Sequence, residues 1–370
     1  MVIDCDFPGG NITVVSVRDD VFVLRPDLRD TPQPWFYWHF RVQGAAGRAL
    51  TFCFDSPDCV VGALGPAVSL DSGRTWRWLG AESLCENGFR FAVPPALGEV
   101  RFAVAFPYLQ ANLEAFLNAR LPSPHLVRES LCLTGAGRDA ELLRAGCLAA
   151  APRARVLLTA RHHACESLAS FVLEGILQAV LETGETGGWL RENVEILAIP
   201  FVDKDGVEQG DQGKSRAPHD HNRDYFTAPP LYPTVAAIKR LVPVWSDGKL
   251  RVHLDLHCPL LRGADHEEIS FVGSPDADGW REAQGFAGLL RERQQGPLVY
   301  TGAQDLAFGE GWNVGTEAQT STAWSSSLIA DGFAVTLEIP YAVAHGTPVT
   351  PDSARAFGRD LAAALAAYLA

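Results

Sequence analysis

The first part of the chain carries the residue pattern of β-structure. Short runs rich in aromatic and β-branched residues are bounded by Gly, Pro and Asp, which is typical of strands joined by turns. These runs are WFYWHFRV (35–42), RALTFCFD (48–55) and EVRFAVAFPY (99–108). The segment SLDSGRTWRWLG (69–80) predicts two strands around a turn, in which Gly73 permits a positive φ. Residues 1–121 are therefore predicted to form an all-β, sandwich-like N-terminal domain.

After residue 121 the pattern changes to short apolar strands that alternate with helices. Two prolines in NARLPSPHLVRES (118–130) mark the junction. The predicted strands are RVLLTA (155–160), VEILAIPFV (194–202), LRVHLDLH (250–257) and FAVTLEIPY (333–341). The predicted helices are ESLASFVLEGILQAVLET (166–183), PTVAAIKRLVPVW (233–245) and SARAFGRDLAAALAAYLA (353–370). This alternation predicts that residues 122–370 form an α/β domain with a largely parallel or mixed sheet.

Composition and charge narrow the class of function. The 370 residues carry a formal charge of −13, which argues against non-specific binding to nucleic acid or to an anionic membrane. No apolar run reaches the roughly 18 residues that a membrane helix needs. The start of the chain, MVIDCDFPGG, does not have the pattern of a secretory signal, and the eight cysteines contain no C-x-x-C pair. We therefore expect reduced thiols and a cytoplasmic protein.

The stretch LLTARHHACES (157–167) places two histidines and a glutamate where a strand becomes a helix. In α/β sheets, ligands bind at the carboxyl ends of strands. His163 and Glu166 are three residues apart, a spacing that brings both side chains to one face, and imidazole and carboxylate are both zinc ligands. His162 is four residues from Glu166, so spacing does not choose between the histidines. The alternative is a surface histidine beside a glutamate that favours the helix dipole.

Three later segments also carry polar residues at predicted strand ends. The segment IPFVDKDGVEQGDQGKSRAPHDHNRDY (199–225) is predicted to be a long functional loop, and it contains Asp220, Asn222 and Arg223. His257 ends a predicted strand, and Glu338 lies in an apolar strand. A carboxylate in such a strand is costly unless it is used or paired.

In this order, the segments resemble the motifs of the M14 zinc carboxypeptidases, and most of all those of the cytosolic carboxypeptidase subfamily. The family motifs ARxHPGE, PDGV with DLNR, DLH and YTLE correspond to ARHHACE, KDGV with DHNR, DLHC and VTLE here. The N-terminal WFYWHFRV, SLDSGRTW and FAVAFPYLQANLEAFL resemble the β-domain of that subfamily. The resemblance covers nearly the whole chain and implies a zinc carboxypeptidase-like α/β domain with a mixed sheet.

The resemblance also implies a metal site with one zinc ion per chain. Its ligands would be His163, Glu166 and His257, since the family's H-x-x-E selects His163 over His162. Asp220 matches the carboxylate that orients the first zinc-binding histidine. A metal-bound histidine usually donates its second N–H to such a group. A simple turn residue is the alternative for Asp220.

The remaining implied roles concern substrate and proton transfer. Asn222 and Arg223 match the pair that binds the terminal carboxylate of a substrate, for which a guanidinium fork is well suited. Glu338 matches the general base that takes a proton from the attacking water and passes it to the leaving amine. Without the resemblance, a structural ion-pair role for Glu338 would be an equal alternative.

The chain departs from the family motifs in several places. Gly213 stands where the family has an arginine that stabilises the oxyanion, and Arg216 or Lys214 could replace it. We expect Arg216, because it keeps a guanidinium. HACE replaces HPGE, which puts Cys165 beside the ligands, where it either packs into the strand–helix junction or, as a soft ligand, binds stray metal. No tyrosine matches the family's mobile tyrosine, and Trp324 is the nearest aromatic residue.

The predicted function is a cytoplasmic zinc metallocarboxypeptidase acting on the C-termini of peptides or protein tails. A zinc-dependent acyl-amino-acid amidohydrolase of the aspartoacylase type is the alternative, and an inactive binding module is a third possibility. The segment TSTAWSSSLIADG (320–332) contains no Lys or Arg. We therefore expect no strong preference for a C-terminal glutamate, with Trp324 bordering an apolar or small pocket. The oligomeric state is left open.

Overall fold

Residues 1–103 of the computed structural model, which describes residues 1–315 and 318–370, form two five-stranded sheets. The first sheet is antiparallel and has the order β1-β4-β10-β6-β7, and the second has the order β2-β3-β5-β9-β8. The strands are β1 (Val2–Asp4), β2 (Thr13–Arg18), β3 (Val21–Arg25), β4 (His39–Gln43), β5 (Ala49–Phe54), β6 (Ala67–Ser69), β7 (Arg77–Trp78), β8 (Leu84–Cys85), β9 (Gly88–Ala92) and β10 (Glu99–Ala103).

Aromatic side chains form the core between these two sheets. Phe40 and Phe102 of the first sheet contact Phe52 of the second, with ring centroids 5.3 and 5.2 Å away. Phe89 lies 5.1 Å from Phe102, and all four rings are buried. Their alternation with more exposed residues along β5 and β9 is the period of two that a sheet with one buried face requires. The predicted sandwich-like β-structure is confirmed.

Among the described residues after this β-structure, seven strands form one mixed sheet in the order β11-β12-β14-β13-β15-β17-β16. The strands are β11 (Leu126–Leu133), β12 (Asp139–Gly146), β13 (Ala154–Ala160), β14 (Val194–Ile199), β15 (Leu250–His257), β16 (Ser270–Gly273) and β17 (Phe333–Glu338). Strands β14, β13, β15 and β17 are parallel; β12 and β16 run antiparallel to them, and β11 pairs antiparallel with β12. A short hairpin of β18 (Val343–Ala344) and β19 (Thr347–Pro348) follows.

Helices cover both faces of the large sheet. They are α1 (Gln110–Asn118), α2 (Ser167–Leu181), α3 (Glu185–Asn193), α4 (Lys204–Gln209), α5 (Pro233–Ser246), α6 (Ala277–Arg293), α7 (Ser321–Ser326) and α8 (Pro351–Leu369). On one face, α2, α6 and α8 share a hydrophobic core with Val156 and Leu158, and on the other α5 shares a core with Leu157. A strand covered on both faces is apolar throughout, which is why RVLLTA lacks alternation.

The structure differs from the predicted elements in a few places. The run 35–42 becomes a strand only at His39, and the hairpin of β11 and β12 was not predicted. The predicted long loop 199–225 contains α4, whose first turn is capped by the Asp203 carboxylate accepting from the Gly206 amide. The domain boundary after residue 121 stays a prediction. Within the described residues, no helix is both long and apolar enough to cross a membrane.

Candidate metal and substrate site

The carboxyl ends of three neighbouring parallel strands bring the predicted site residues together. His163 follows the end of β13, His257 is the last residue of β15, and Glu338 is the last residue of β17. His257 and Glu338 are direct partners in the register of β15 and β17. Glu166 is the N-cap residue of α2, which packs on the same sheet. The sheet topology therefore gathers residues that are up to 175 positions apart, from His163 to Glu338.

His163, Glu166 and His257, here called the metal cluster, point their potential ligand atoms at one another. The Nδ1 atom of His163 lies 2.9 Å from Oε1 of Glu166, and the Nδ1 atom of His257 lies 2.8 Å from Oε2. The two Nδ1 atoms are 3.2 Å apart. This is a group of residues that could hold a metal ion, and Glu166 is fully buried within it.

The outer nitrogens of both rings face carboxylates, which fixes what the inner nitrogens can do. Nε2 of His163 lies 3.2 Å from Asp220, and Nε2 of His257 lies 2.9 Å from Asp255. A neutral imidazole that donates from Nε2 has only a lone pair at Nδ1. When both rings donate from Nε2, their Nδ1 lone pairs and the Glu166 carboxylate converge on one point. The donor set of the metal cluster thus fits a bound cation.

The charges around the metal cluster agree with this interpretation. Burial by itself would raise the pKa of Glu166, but Lys214 and the two histidines outweigh it and hold that pKa well below its ordinary value. Burial would lower the pKa of His257, but Asp255 and Glu166 raise it well above its ordinary value. The site therefore favours positive charge at the two histidines, where a metal would supply it.

A second group that could hold a metal consists of His162, Asp255 and His257. Here the Asp255 oxygens already accept hydrogen bonds from four side chains. The donors are Thr159 at 2.7 Å, His162 at 2.8 Å, Ser321 at 2.5 Å and His257 at 2.9 Å. The other nitrogen of His162 lies 2.9 Å from the Tyr225 hydroxyl. Because protein groups occupy these atoms, the second group is better described as a hydrogen-bond network that orients His257.

Glu338 stands apart from this network. Its Oε2 atom is buried and has no hydrogen-bond partner among the described residues. Burial raises the pKa of Glu338 above its ordinary value, although His257 and Lys214 oppose the rise. A carboxylate that is poorly paired and partly desolvated is a good proton acceptor near neutral pH.

The metal cluster opens into a cavity of 440 Å³. Asp220, Asn222 and Arg223 line it, together with Glu338. The side-chain oxygen of Asn222 accepts from the Ser321 amide at 2.9 Å, and this fixes the orientation of the amide group. Burial would raise the pKa of Asp220, but His163 and, to a smaller extent, Arg223 lower it below its ordinary value. The cavity therefore combines a metal-binding end with a cationic side chain.

Similar curated proteins are named cytosolic carboxypeptidases. No protein-family model matches the chain. Cytosolic carboxypeptidase 6 of Caenorhabditis elegans is 25% identical over 288 residues, which cover 70% of this chain and 62% of that protein. Cytosolic carboxypeptidase 2 of Mus musculus is 31% identical over 171 residues, which cover 42% of this chain and 19% of that protein. The chain thus spans less than two-thirds of the length of these relatives.

Solved structures match nearly the whole chain. A metallo-carboxypeptidase from Burkholderia cenocepacia covers 99% of this chain and 98% of its own, with a TM-score of 0.82 and 20% identity. One from Pseudomonas aeruginosa, in complex with (2-guanidinoethylmercapto)succinic acid, covers 100% of both chains with a TM-score of 0.76 and 23% identity. The chain has the metallo-carboxypeptidase fold. The predicted resemblance to the cytosolic carboxypeptidases and the predicted fold class are both confirmed.

One of the predicted site residues lies outside the cavity. Arg216 does not line the cavity; its guanidinium lies 2.6 Å from Asp203, 2.9 Å from Asp211 and 3.7 Å from Asp30. We call these four residues the arginine cluster. Three buried carboxylates attract the guanidinium more strongly than an open cavity does. The prediction that Arg216 lies in the cavity to stabilise the oxyanion is therefore wrong.

Lys214, the alternative to Arg216, does line the cavity of the metallo-carboxypeptidase fold. Its Nζ atom lies 2.7 Å from Oε1 of Glu166 and donates to the Cys258 carbonyl at 2.8 Å. Burial would lower the pKa of Lys214, but Glu166 outweighs it and raises that pKa above its ordinary value. Lys214 is therefore a fixed cation beside the metal cluster.

Among the aromatic residues near the site, Trp324 lies where it was not expected, whereas Cys165 packs as the first of its two alternatives had it. Trp324 does not line the cavity but packs on Tyr225, with ring centroids 5.2 Å apart. Trp35 and Trp312 line the cavity instead. Cys165 is buried, and burial raises its pKa to about 12, so it packs as a neutral thiol. Trp35 comes from the β-structure, a contribution that local motifs in the α/β part of the sequence do not reveal.

Asp255 is a residue of the candidate site that the sequence motifs did not single out. It lies two residues before His257 in β15, and residues two apart in a strand point to the same face. The motif DLHC therefore held the signal, because a polar residue at that spacing in an apolar strand was available to orient His257.

Proposed function

We propose that the chain is a zinc metallocarboxypeptidase that hydrolyses the C-terminal peptide bond of peptides or protein tails. The observation that carries the proposal is the convergence of the metal cluster with Glu338 at one end of a single cavity. The fold and the sequence relatives support this reaction class. The chain spans only 62% of the length of its relative from Caenorhabditis elegans. The proposed activity therefore rests on the residues of this chain.

We propose one zinc ion per chain, held by His163, Glu166 and His257. Two imidazoles and one carboxylate are a typical catalytic zinc set, which leaves a coordination position open. Bound there, zinc would act as a Lewis acid that polarises the scissile carbonyl and lowers the pKa of water. Asp220 and Asp255 would fix the two imidazole rings in the tautomer that presents Nδ1.

Proton transfer is assigned to Glu338. Its unpartnered oxygen would take the proton of the attacking water and deliver it to the leaving amine. Lys214 would stabilise the negative charge that develops on the carbonyl oxygen. Two of its three N–H donors are used by Glu166 and Cys258, and the third can reach a substrate oxygen.

Substrate binding is assigned to Asn222 and Arg223. The guanidinium of Arg223 would pair with the terminal carboxylate of the substrate, and the fixed amide of Asn222 would donate to it. Thr320, Thr322 and Thr336 supply an uncharged wall of the cavity. A terminal side chain without charge suits this wall, so we propose no strong preference for C-terminal glutamate.

The cellular setting is proposed to be cytoplasmic. All eight cysteines are free thiols, and Cys165 and Cys258 lie buried near the site. Free thiols are the usual state in a reducing compartment. Peptide or protein C-termini are the proposed partners; nucleic acid and membranes are not.

The test uses matched peptides that end in Leu, Thr or Glu, each as a free acid and as an amide. We expect the zinc-loaded protein to release the last residue of the free acids, and chelation to abolish this. Amidation removes the substrate anion that Arg223 would bind, so the charge-assisted hydrogen bonds of that pair are lost and the amides should be cleaved much more slowly. Equal cleavage of acids and amides would contradict exopeptidase action. Cleavage restricted to N-acyl amino acids would favour the aspartoacylase-type alternative.

A further inference from the structure

The loop 210–217, which carries Lys214, is held by the β-structure rather than by the α/β part alone. The Asn11 side chain donates to the Gly210 carbonyl at 2.7 Å. The Gln212 side chain accepts from the Tyr37 amide at 2.7 Å and donates to the Tyr37 carbonyl at 2.9 Å. Gln212 and Asn11 are fully buried, so these contacts are shielded from water.

Asp30 makes the most extensive contact with this loop. Its Oδ1 atom accepts from the Gln212 amide at 3.0 Å, and its Oδ2 atom accepts from the Gly213 amide at 2.8 Å. Its main-chain carbonyl accepts from the Ala217 amide at 2.8 Å. The carboxylate is 4% exposed. A buried carboxylate that binds two consecutive amides fixes the direction of the chain between them.

The loop needs such support because its backbone is unusual on both sides of Lys214. Gly213 has a φ of 77°, and a Cβ atom there would lie 2.1 Å from the Ala164 nitrogen. Ser215 has a φ of 50°, which is costly for a residue with a side chain. Thr31, next to Asp30, donates to the Ser215 carbonyl at 3.2 Å. The β-structure thus restrains the residues on both sides of Lys214.

We propose that Asp30 is a positioning residue that holds Lys214 against Glu166 in the proposed active site. The β-structure is then a component of that site, because Asp30 fixes the loop. In addition, the Lys214 ammonium lies 5.5 Å from the ring centroid of Trp35. The inference rests on the proposed carboxypeptidase function for its kinetic consequence, but the placement of Lys214 does not depend on that function.

The first experiment is a double-mutant cycle between Asp30→Asn and Lys214→Gln. Asp30→Asn keeps the shape but loses the charge and one acceptor, so kcat should fall about tenfold with little change in KM. In the Lys214→Gln background the same substitution should change kcat less than twofold, because its target is gone. Asp27→Asn is the matched control, since that partly exposed carboxylate lies in the same segment and pairs with Arg29. Independent, multiplicative losses would overturn the proposal.

The second experiment does not use activity. The acetylation rate of the Lys214 amine, measured by mass spectrometry, should rise at least about fivefold in Asp30→Asn, because the ammonium spends more time away from Glu166. An unchanged rate would refute positioning whatever the enzyme does. Wild-type protein that is inactive on every free-acid peptide, with a faster Lys214 rate in the variant, would refute only the proposed function. If Asp30→Asn does not fold, Thr31→Val gives the same measurements, with a smaller expected change.

Discussion

The metal cluster and the arginine cluster are two buried groups of charged residues that both contact the loop 210–217, through Lys214 and through Asp211 and Arg216 respectively. In the metal cluster, Lys214 contacts only Oε1 of Glu166, and Oε2 faces the Nδ1 atom of His257, which lies 3.2 Å from that of His163. In the arginine cluster, Arg216 supplies a cation for Asp30, Asp203 and Asp211. The comparison teaches that buried charge alone does not identify a reactive site. What distinguishes the two clusters is that a guanidinium lies among the carboxylates of the arginine cluster, whereas the inward-facing nitrogens of the metal cluster face each other and Glu166.

The largest expected effect comes from Glu338, which belongs to neither cluster. Glu338→Gln keeps the shape of the side chain but cannot accept a proton, so kcat should fall at least about a hundredfold. Bound zinc should stay at the wild-type level, because Glu338 is not one of the proposed ligands. Steady-state kinetics and metal analysis on the same preparation check this. Near-wild-type turnover would remove Glu338 from the mechanism.

The comparison predicts different consequences for the two cations of the shared loop. Arg216→Gln leaves three buried carboxylates without their cation, and breaking such a cluster costs about 3–5 kcal/mol of folding stability. Lys214→Gln should leave the melting temperature closer to that of the wild type in the zinc-loaded protein. It should instead lower kcat about ten- to a hundredfold. Thermal unfolding and kinetics of both variants measure the contrast.

The opposite pattern would break the comparison. If Arg216→Gln lowered kcat more than Lys214→Gln did at a temperature where both are folded, Arg216 would act on the substrate after all. If Lys214→Gln unfolded the zinc-loaded protein, Lys214 would be a structural cation like Arg216.

Much of the fold could be predicted from the sequence, because each strand and helix carries its own periodicity. The apolar run 155–160 and the helix that follows it place His163 and Glu166 at a strand end without knowledge of any distant contact. The hairpin of β11 and β12 escaped prediction because its exposure is irregular and interrupted by a register shift at Ser130.

The site was predicted less completely where it depends on contacts between distant segments. Lys214 and Arg216 are two residues apart in one loop, and no local pattern shows which one turns toward Asp30 and its neighbours. The distance of 182 positions between Asp30 and Gln212 lies outside any local pattern. His162 and His163 could be separated only by family resemblance, whereas the structure separates them by their hydrogen-bond partners.

The smallest expected effect concerns the titration of the arginine cluster. Burial raises the pKa of Asp211 from 3.8 to about 6, with Arg216 opposing and Asp30 adding to the rise. Between these two pH values the folded protein therefore binds more protons than the unfolded chain does. The ionised form of Asp211 costs folding stability above about pH 6, and this cost shrinks as the pH falls from about 6 and is gone below 3.8.

Asp211→Asn should therefore be more stable than the wild type at pH 8, by a margin that stays nearly constant down to about pH 6 and shrinks between about pH 6 and pH 4. Denaturant unfolding at several pH values measures the difference in free energy of unfolding.

Asp205→Asn is a control for which the opposite sign is expected. Burial would raise the pKa of Asp205, but the Ala136 amide and Arg138 lower it below its ordinary value. Its ionised form therefore stabilises the fold at neutral pH, and Asp205→Asn should be less stable there, with a deficit that vanishes in acid. A shift of the same sign in both variants would mean that Asp211 is stabilised as an anion by Arg216, and the arginine cluster would then be a fully satisfied ion-pair network.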